Sequence, residues 1–176
     1  MSPKIVRQNA GSTDLDRIDR AILAALQKNA RTSYKDLSSL AGVSPSTCLE
    51  RVRALQARGV ITGYRAEVDP ASVGRKLEAL IAVRFRTHDR ALVDPFVEYV
   101  LSLPETLGLF NVSGEDDYLL HVAVADSDHL HGFVLDRLGV RSEVEHVRTS
   151  LVYRHLRKDA IEPLSPREPD AQTVRP

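Results

Sequence analysis

The chain has 176 residues, of which 43% are hydrophobic and 5% aromatic, and its 24 basic and 24 acidic side chains balance to zero formal charge. This length and composition are typical of a globular protein with one large or two small domains. No window approaches about eighteen consecutive apolar residues and the first residues lack a signal peptide's apolar stretch, so we expect no membrane partner and a cytoplasmic location. The single cysteine, Cys48, excludes an internal disulfide and a CxxC zinc site.

Two helices are predicted at the start of the patterned sequence. Apolar residues recur every three or four positions from Leu15 to about Lys28, which indicates an amphipathic helix with Asp14 as its candidate N-cap. A second, shorter helix is predicted over about 33–41 and should stop at Gly42.

The third helix has clear start and stop signals. Ser44 is a good N-cap, Pro45 suits the first turn, and Gly59 should end the helix after about Arg58. Two short helices joined by a glycine-containing turn are typical of the helix-turn-helix. Cys48 falls on the buried face of a helical projection, and no catalytic partner pattern accompanies it, so we interpret it as a core residue.

The outward face of the third helix is polar and flanked by arginines. The candidate DNA-binding residues are Ser44, Ser46, Thr47, Glu50, Arg51, Arg53, Ala54 and Arg58. Short polar side chains suit base edges in the major groove, whereas Arg51 and Arg58 at the flank suit phosphates. Residues 1–70 carry about +4 and the remainder about −4. A solvated helix face explains any single arginine, but DNA reading explains the combination better.

After Gly59 the pattern changes from helical to alternating. Residues 60–76 are predicted to form a connector. Its strand-like stretch contains Ile61, Tyr64, Ala66 and Val68 and ends at Asp69-Pro70.

The remainder reads strand, helix, strand, strand, helix, strand. The strands are predicted over 79–87, 106–114, 117–126 and 143–157, and the helices from Asp94-Pro95 through Leu103 and from a Ser127 cap through Leu138. This order builds an antiparallel sheet with two helices on one face, the ferredoxin-like arrangement. The other face needs cover, and a second copy of the sheet is the simplest cover.

The histidines do not indicate an enzyme or a metal site. On a helix, His129 and His131 would point about 200° apart and could not share an ion. His121, His146 and His155 fall in strands, where partnership across a sheet is possible but a solvent-facing or hydrogen-bonded histidine is the default. Neither a Gly-rich phosphate loop nor a GxSxG or HExxH motif occurs, so we expect no catalytic residue, metal or cofactor. The rival hypotheses are an amino-acid-binding enzyme and a sequence-indifferent DNA-packaging protein.

The stretch from Leu15 to Gly74 resembles the N-terminal half of the Lrp/AsnC (leucine-responsive regulatory protein) family of transcription regulators. The resemblance includes Leu15-Asp16, Ile22-Leu23, "VSPSTC" and Arg51-Val52, and it extends through the βαββαβ region to about residue 158. It implies a regulator of double-stranded DNA that responds to an amino-acid effector. It also implies homodimers that form through the sensing domains and assemble into tetramers or octamers.

The segment "SGEDDYLL", 113–120, is by itself a polar turn between two strands. In the family a G-x-x-D-Y/F element here lies between dimers and contributes to the amino-acid pocket. The residues that match, with two neighbours on the closing strand, are Gly114, Asp117, Tyr118, Thr149 and Ser150. A carboxylate suits the ammonium of such a ligand, and backbone N–H groups or hydroxyls suit its carboxylate.

These predictions define an α+β protein of five segments. A winged-type helix-turn-helix of three helices is joined by the strand-like linker to a ferredoxin-like sensing domain. The expected segments are a mobile extension (1–13), the DNA-binding domain (14–59), the linker (60–76), the effector-binding and oligomerisation domain (77–158) and a mobile Pro-rich tail (159–176).

Overall fold

A computed structural model describes residues 14–164. The described residues divide into two compact units. One unit holds residues 14–66 together with 157–164, and the other holds 67–156. The expectations of mobile ends at 1–13 and 165–176 lie outside the described residues. Within 159–164, Ile161 is anchored to the first helix, because the Gln27 side-chain amide both donates to and accepts from its backbone.

Three helices form the first unit, and local sequence signals explain their ends. They are α1 (Arg17–Lys28), α2 (Tyr34–Ala41) and α3 (Pro45–Ala57). The predicted ends of α2 are confirmed, since Ser33 caps its start and Gly42 adopts a left-handed φ of 70° at its end. The N-cap predicted for α1 is wrong by two residues, because the Asp16 carboxylate, rather than Asp14, accepts from the N–H of Asp19.

The core of this unit forms between the three helices. Its fully buried side chains are Ile22, Leu37, Ala41, Cys48, Val52 and Leu55. The core placement predicted for Cys48 is confirmed, and burial raises the pKa of its thiol, which disfavours the reactive thiolate.

The strand-like linker is a correction. Within the described residues, the segment between α3 and the sheet contains no β-strand, and its regular element is a 3-10 helix at Ala71–Val73. Alternation identifies which side chains would share a face, but a strand also requires a neighbouring strand to complete its ladder. All four strands of the described sheet come from residues after 76.

The second unit is the predicted βαββαβ fold. Its elements are β1 (Leu77–Phe85), α4 (Arg90–Ser102), β2 (Thr106–Asn111), β3 (Tyr118–Val124), α5 (Ser127–Phe133) and β4 (Val144–Val152). The sheet order is β2-β3-β1-β4 and every neighbouring pair is antiparallel. β4 is shorter than the predicted 143–157, because its last paired residue, Val152, lies opposite Glu78 near the start of β1.

The two helices of this unit cover one face of the sheet. Phe96 and Val100 of α4 and Phe133 of α5 pack in one buried cluster with alternate residues of β1 and β3. On the other face, Phe110 pairs with Leu119, and its side chain is 55% exposed.

Both helix starts in this unit differ from prediction. α4 begins at Arg90, where the Asp89 carboxylate accepts from the N–H of Ala91, so Pro95 lies inside the helix rather than at its first turn. Burial of Phe96 and Val100 offsets the backbone hydrogen bond that the proline cannot make. The N-cap of α5 is Asp126 rather than Ser127, and the helix continues as a π-helical turn at Val134–Gly139.

Candidate DNA-binding surface and effector site

The start of α3 is an exposed cluster of hydroxyl groups. The Ser44 hydroxyl accepts from the N–H of Thr47 at 3.1 Å and lies 2.9 Å from the hydroxyls of both Ser46 and Thr47. Ser44 and Ser46 are exposed, and Thr47 is half-buried. Because Cys48 and Val52 fix the opposite side of α3 in the core, these hydroxyls face outward as predicted.

The polar face continues along α3. Glu50, Arg53 and Ala54 are all exposed, and Arg53 makes no ion pair or hydrogen bond with any residue that the structure describes. A guanidinium so placed has its donors available for an anionic partner.

Arg51 and Arg58 hold α3 against α1. The Arg51 guanidinium lies 2.7 Å from the Asp16 carboxylate and 3.4 Å from that of Asp19. Arg58 lies 3.6 Å from Asp19 and donates to the Asp14 carbonyl at 2.9 Å. The Asp19 side chain is only 3% exposed, whereas the two arginines are 38% and 40% exposed. Each arginine therefore stabilises the packing of α3 against α1 and remains partly exposed to solvent.

The ion pairs that Asp16 and Asp19 make with these arginines were not predicted from the sequence. Asp19 lies in the same helical stripe as Leu15 and Ile22, and an acidic residue in an apolar stripe is a signal that a cation must meet it. The pKa of Asp16 is lowered, first by the hydrogen bond from the N–H of Asp19 and also by the Arg51 guanidinium.

The turn between β2 and β3 is stabilised by Asp117. One carboxylate oxygen accepts from the N–H of Phe85 at 2.8 Å, and the other lies 2.7 Å from Nε2 of His88. Gly114 has a φ of +127°, which other residues rarely adopt. The Asp117 side chain is 17% exposed, and that of His88 is 79% exposed, so the contact to His88 is the replaceable one.

Tyr118 lies beside this turn with its ring directed into the core. Its ring packs edge-on against Phe85 with centroids 5.7 Å apart. Burial first, and then the Asp94 and Asp117 carboxylates, raise the pKa of its phenol, which therefore remains protonated.

Within one chain Thr149 and Ser150 are separated from the turn by β1. They are exposed on β4 and pair with Ile81 and Leu80, whereas Tyr118 pairs with Val83 on the other side of β1. The residue that connects β4 to the turn is Arg148, which donates to the Asp116 carboxylate at 2.6 Å. Sequence spacing did not indicate Arg148 or His88, because their partners lie on other elements.

The described residues include no helix long and apolar enough to cross a membrane.

His129 of α5 lies 3.1 Å from Glu105, and His131 is exposed. The one group among the described residues with the ligand spacing of a metal site is Glu78, His121 and His155.

The fold and these surfaces define a class, a helix-turn-helix DNA-binding protein with a ferredoxin-like second domain. Comparison with protein families agrees with this class. The AsnC-type helix-turn-helix domain matches residues 15–56, and the Lrp/AsnC ligand binding domain matches residues 78–161.

Individual relatives match over most of their length. The HTH-type transcriptional regulator AldR of Mycolicibacterium smegmatis is 41% identical over 89% of each chain. A transcriptional regulator from Neisseria meningitidis, solved in complex with L-Met, is 34% identical with a TM-score of 0.77 over 82% of this chain and 94% of its own. A feast or famine regulatory protein from M. tuberculosis, complexed with L-methionine, is 31% identical with a TM-score of 0.73 over 83% and 97%.

The chain belongs to the Lrp/AsnC family and is a DNA-binding transcription regulator with that family's ligand-binding domain. The family resemblance, the α+β fold and the regulatory function predicted from the sequence are confirmed. The family consists of transcription regulators rather than enzymes.

Proposed function

We propose that the protein reads specific DNA sequences through the outward face of α3 and that an amino acid bound at its ligand-binding domain modulates this reading. The observation that carries the first part is the exposed polar face of α3, whose apolar side is fixed in the core by Cys48, Val52 and Leu55. A helix held in this way presents its N-terminal polar residues to the major groove.

The proposed DNA contacts divide by chemistry. Base edges are read by Ser46, Thr47, Glu50, Arg53 and Ala54, and Ser44 contributes by fixing the helix start. Arg51 and Arg58 contact phosphates through the guanidinium N–H groups that do not pair with α1.

The effector is an amino acid bound near Gly114, Asp117 and Tyr118. Asp117 already accepts a hydrogen bond from Phe85, so an ammonium group would replace the exposed His88 at its second oxygen. Thr149 and Ser150 lie across β1 from the turn, which favours a pocket that a second copy of the chain completes. The L-methionine complexes of two relatives support an amino-acid ligand.

Assembly of several chains connects effector binding to DNA binding. We infer a homodimer that covers the sheet face bearing Leu119 and Phe110, since an exposed apolar side chain there gains by burial. Dimers assemble further into tetramers or octamers, and the effector acts by favouring one assembly over another. We place the DNA-binding domain at 14–59, the linker at 60–76 and the sensing domain at 77–158, in a cytoplasmic protein.

The effector site is tested by two variants at one position. Asp117→Asn retains an oxygen that accepts from Phe85 but removes the charge that would bind an ammonium group, whereas Asp117→Ala removes both. We expect both variants to lose the amino-acid response in a DNA titration, and only Asp117→Ala to lose about 1–3 kcal/mol of stability. A stable Asp117→Asn variant that responds like the parent would refute the assignment.

A further inference from the structure

Three potential metal ligands meet on the sheet face that α4 and α5 leave open. Glu78 comes from β1, His121 from β3, and His155 from the segment that follows β4. One ligand atom of each lies within 4.8 Å of the other two. Glu78 and His121 are already in contact, with 2.8 Å between Oε2 and Nε2.

We propose that Glu78, His121 and His155 bind a divalent transition-metal ion of the zinc class. Two imidazoles and one carboxylate are one of the donor sets found in three-ligand zinc sites, and imidazole nitrogen favours Zn²⁺, Co²⁺ or Ni²⁺ over Mg²⁺ and Ca²⁺. The side chains of His121 and Glu78 are only 15% and 23% exposed, so two of the three ligands are already held by the sheet. Three protein ligands leave one position of a tetrahedral ion for water or, in the proposed homodimer that covers this face, for a group of the second copy.

The observed spacing requires only a small adjustment. Two atoms at about 2.1 Å from a tetrahedral ion lie about 3.4 Å apart. The distance of 2.8 Å between His121 and Glu78 is shorter than this, and the 4.8 Å limit for the group is longer. His155 is exposed and lies three residues beyond the last residue of β4, Val152, so its ring can approach without breaking the ladder.

A hydrogen-bonded histidine and glutamate accounts for only two of the three residues. Within the described residues His155 has no hydrogen bond, and its ring lies edge-on to that of His121 with centroids 5.7 Å apart. A shared cation explains why two imidazoles and one carboxylate, from β1, β3 and the segment after β4, lie within 4.8 Å of one another. We expected no metal from the sequence, because a solvent-facing or hydrogen-bonded histidine is the default in a strand and no metal-ligand motif occurs.

The test is metal binding by the full chain without an affinity tag. Zn²⁺ is titrated calorimetrically, and Co²⁺ is used as a spectroscopic probe of coordination. We expect one ion per chain and a cobalt absorption band in the visible range. Loss of an outer partner already weakens metal sites about 10–100-fold, so His155→Ala should weaken zinc binding at least about tenfold.

The matched control is His146→Ala, which removes an exposed histidine of β4 that lies outside the cluster. It should bind zinc like the parent. Glu78→Gln is a second ligand variant that keeps the side-chain shape, and it should weaken binding as well. The proposal is overturned if the parent binds no zinc, or if His155→Ala and Glu78→Gln bind it as tightly as His146→Ala does.

Discussion

Replacing Arg51 with alanine is expected to destabilise the helix-turn-helix unit, whereas the same change at Arg53 should not. Arg51 contacts the Asp16 carboxylate at 2.7 Å and the almost fully buried Asp19 at 3.4 Å. Arg53, two residues along α3, has no partner among the described residues. The two variants remove the same side chain from the same helix and differ in what it contacts.

The magnitude follows from burial. Removing one partner of a fully buried ion pair costs about 3–5 kcal/mol, and an exposed pair contributes about 0.2–1 kcal/mol. Arg51 is 38% exposed and Asp19 keeps Arg58 at 3.6 Å, so its loss should cost about 1–2 kcal/mol, between these limits. Arg53→Ala should stay within about 0.5 kcal/mol of the parent.

The assay is urea unfolding of the full chain followed by the helical circular dichroism signal, with hydrogen exchange to locate the change. Arg51→Ala should increase exchange in α1 and α3. Arg53→Ala should leave exchange unchanged and weaken specific DNA binding by about 1–3 kcal/mol. Equal stabilities for the parent and Arg51→Ala, or a larger loss for Arg53→Ala, would refute the assigned roles.

Three further predictions concern single positions. Cys48→Ser should cost about 1–3 kcal/mol of unfolding free energy, because a hydroxyl replaces a fully buried thiol, and a urea titration that shows no loss would contradict the core role. Gly114→Ala should lower the midpoint of thermal unfolding through backbone strain of about 1–3 kcal/mol, since its φ is +127° and the open space around it excludes a clash. Because the folded pKa of Asp16 lies below 3.8, its stabilisation is complete above the unfolded pKa and is lost as pH falls through the folded pKa. Asp16→Asn should therefore flatten the loss of stability below about pH 4, and an unchanged acid limb would contradict this.

Helix ends could be predicted from the sequence where capping residues next to the helix determine them. Ser33, Gly42, Ser44 and Pro45 specify the ends of α2 and the start of α3 through contacts within four residues. Alternation and order were sufficient for the sheet, because four strands and two helices in this sequence have few compact arrangements.

The errors arose where two signals compete or where a partner is distant. Asp94-Pro95 and Asp89 both resemble a helix start. The longer helix is favoured because the Asp89 carboxylate accepts from the N–H of Ala91 and Val93 packs against the core. The linker has the alternating pattern of a strand, but within the described residues no neighbouring strand pairs with it.

The site predictions have the same limit. The outward face of α3 could be predicted because helical periodicity defines it. The pairs of Arg51 with Asp19 and of Arg148 with Asp116 join residues 32 positions apart, and only the fold brings them together. Charge counting identified the cations of α3 but not which of them are already paired.

The most direct test of the account is a fluorescence titration of the protein with the DNA upstream of its own gene, at fixed salt, with each of the twenty amino acids added in turn. We expect binding that is specific for DNA sequence and altered by one or a few amino acids. Binding that is salt-sensitive but indifferent to both sequence and amino acids would contradict it and would indicate a DNA-packaging protein.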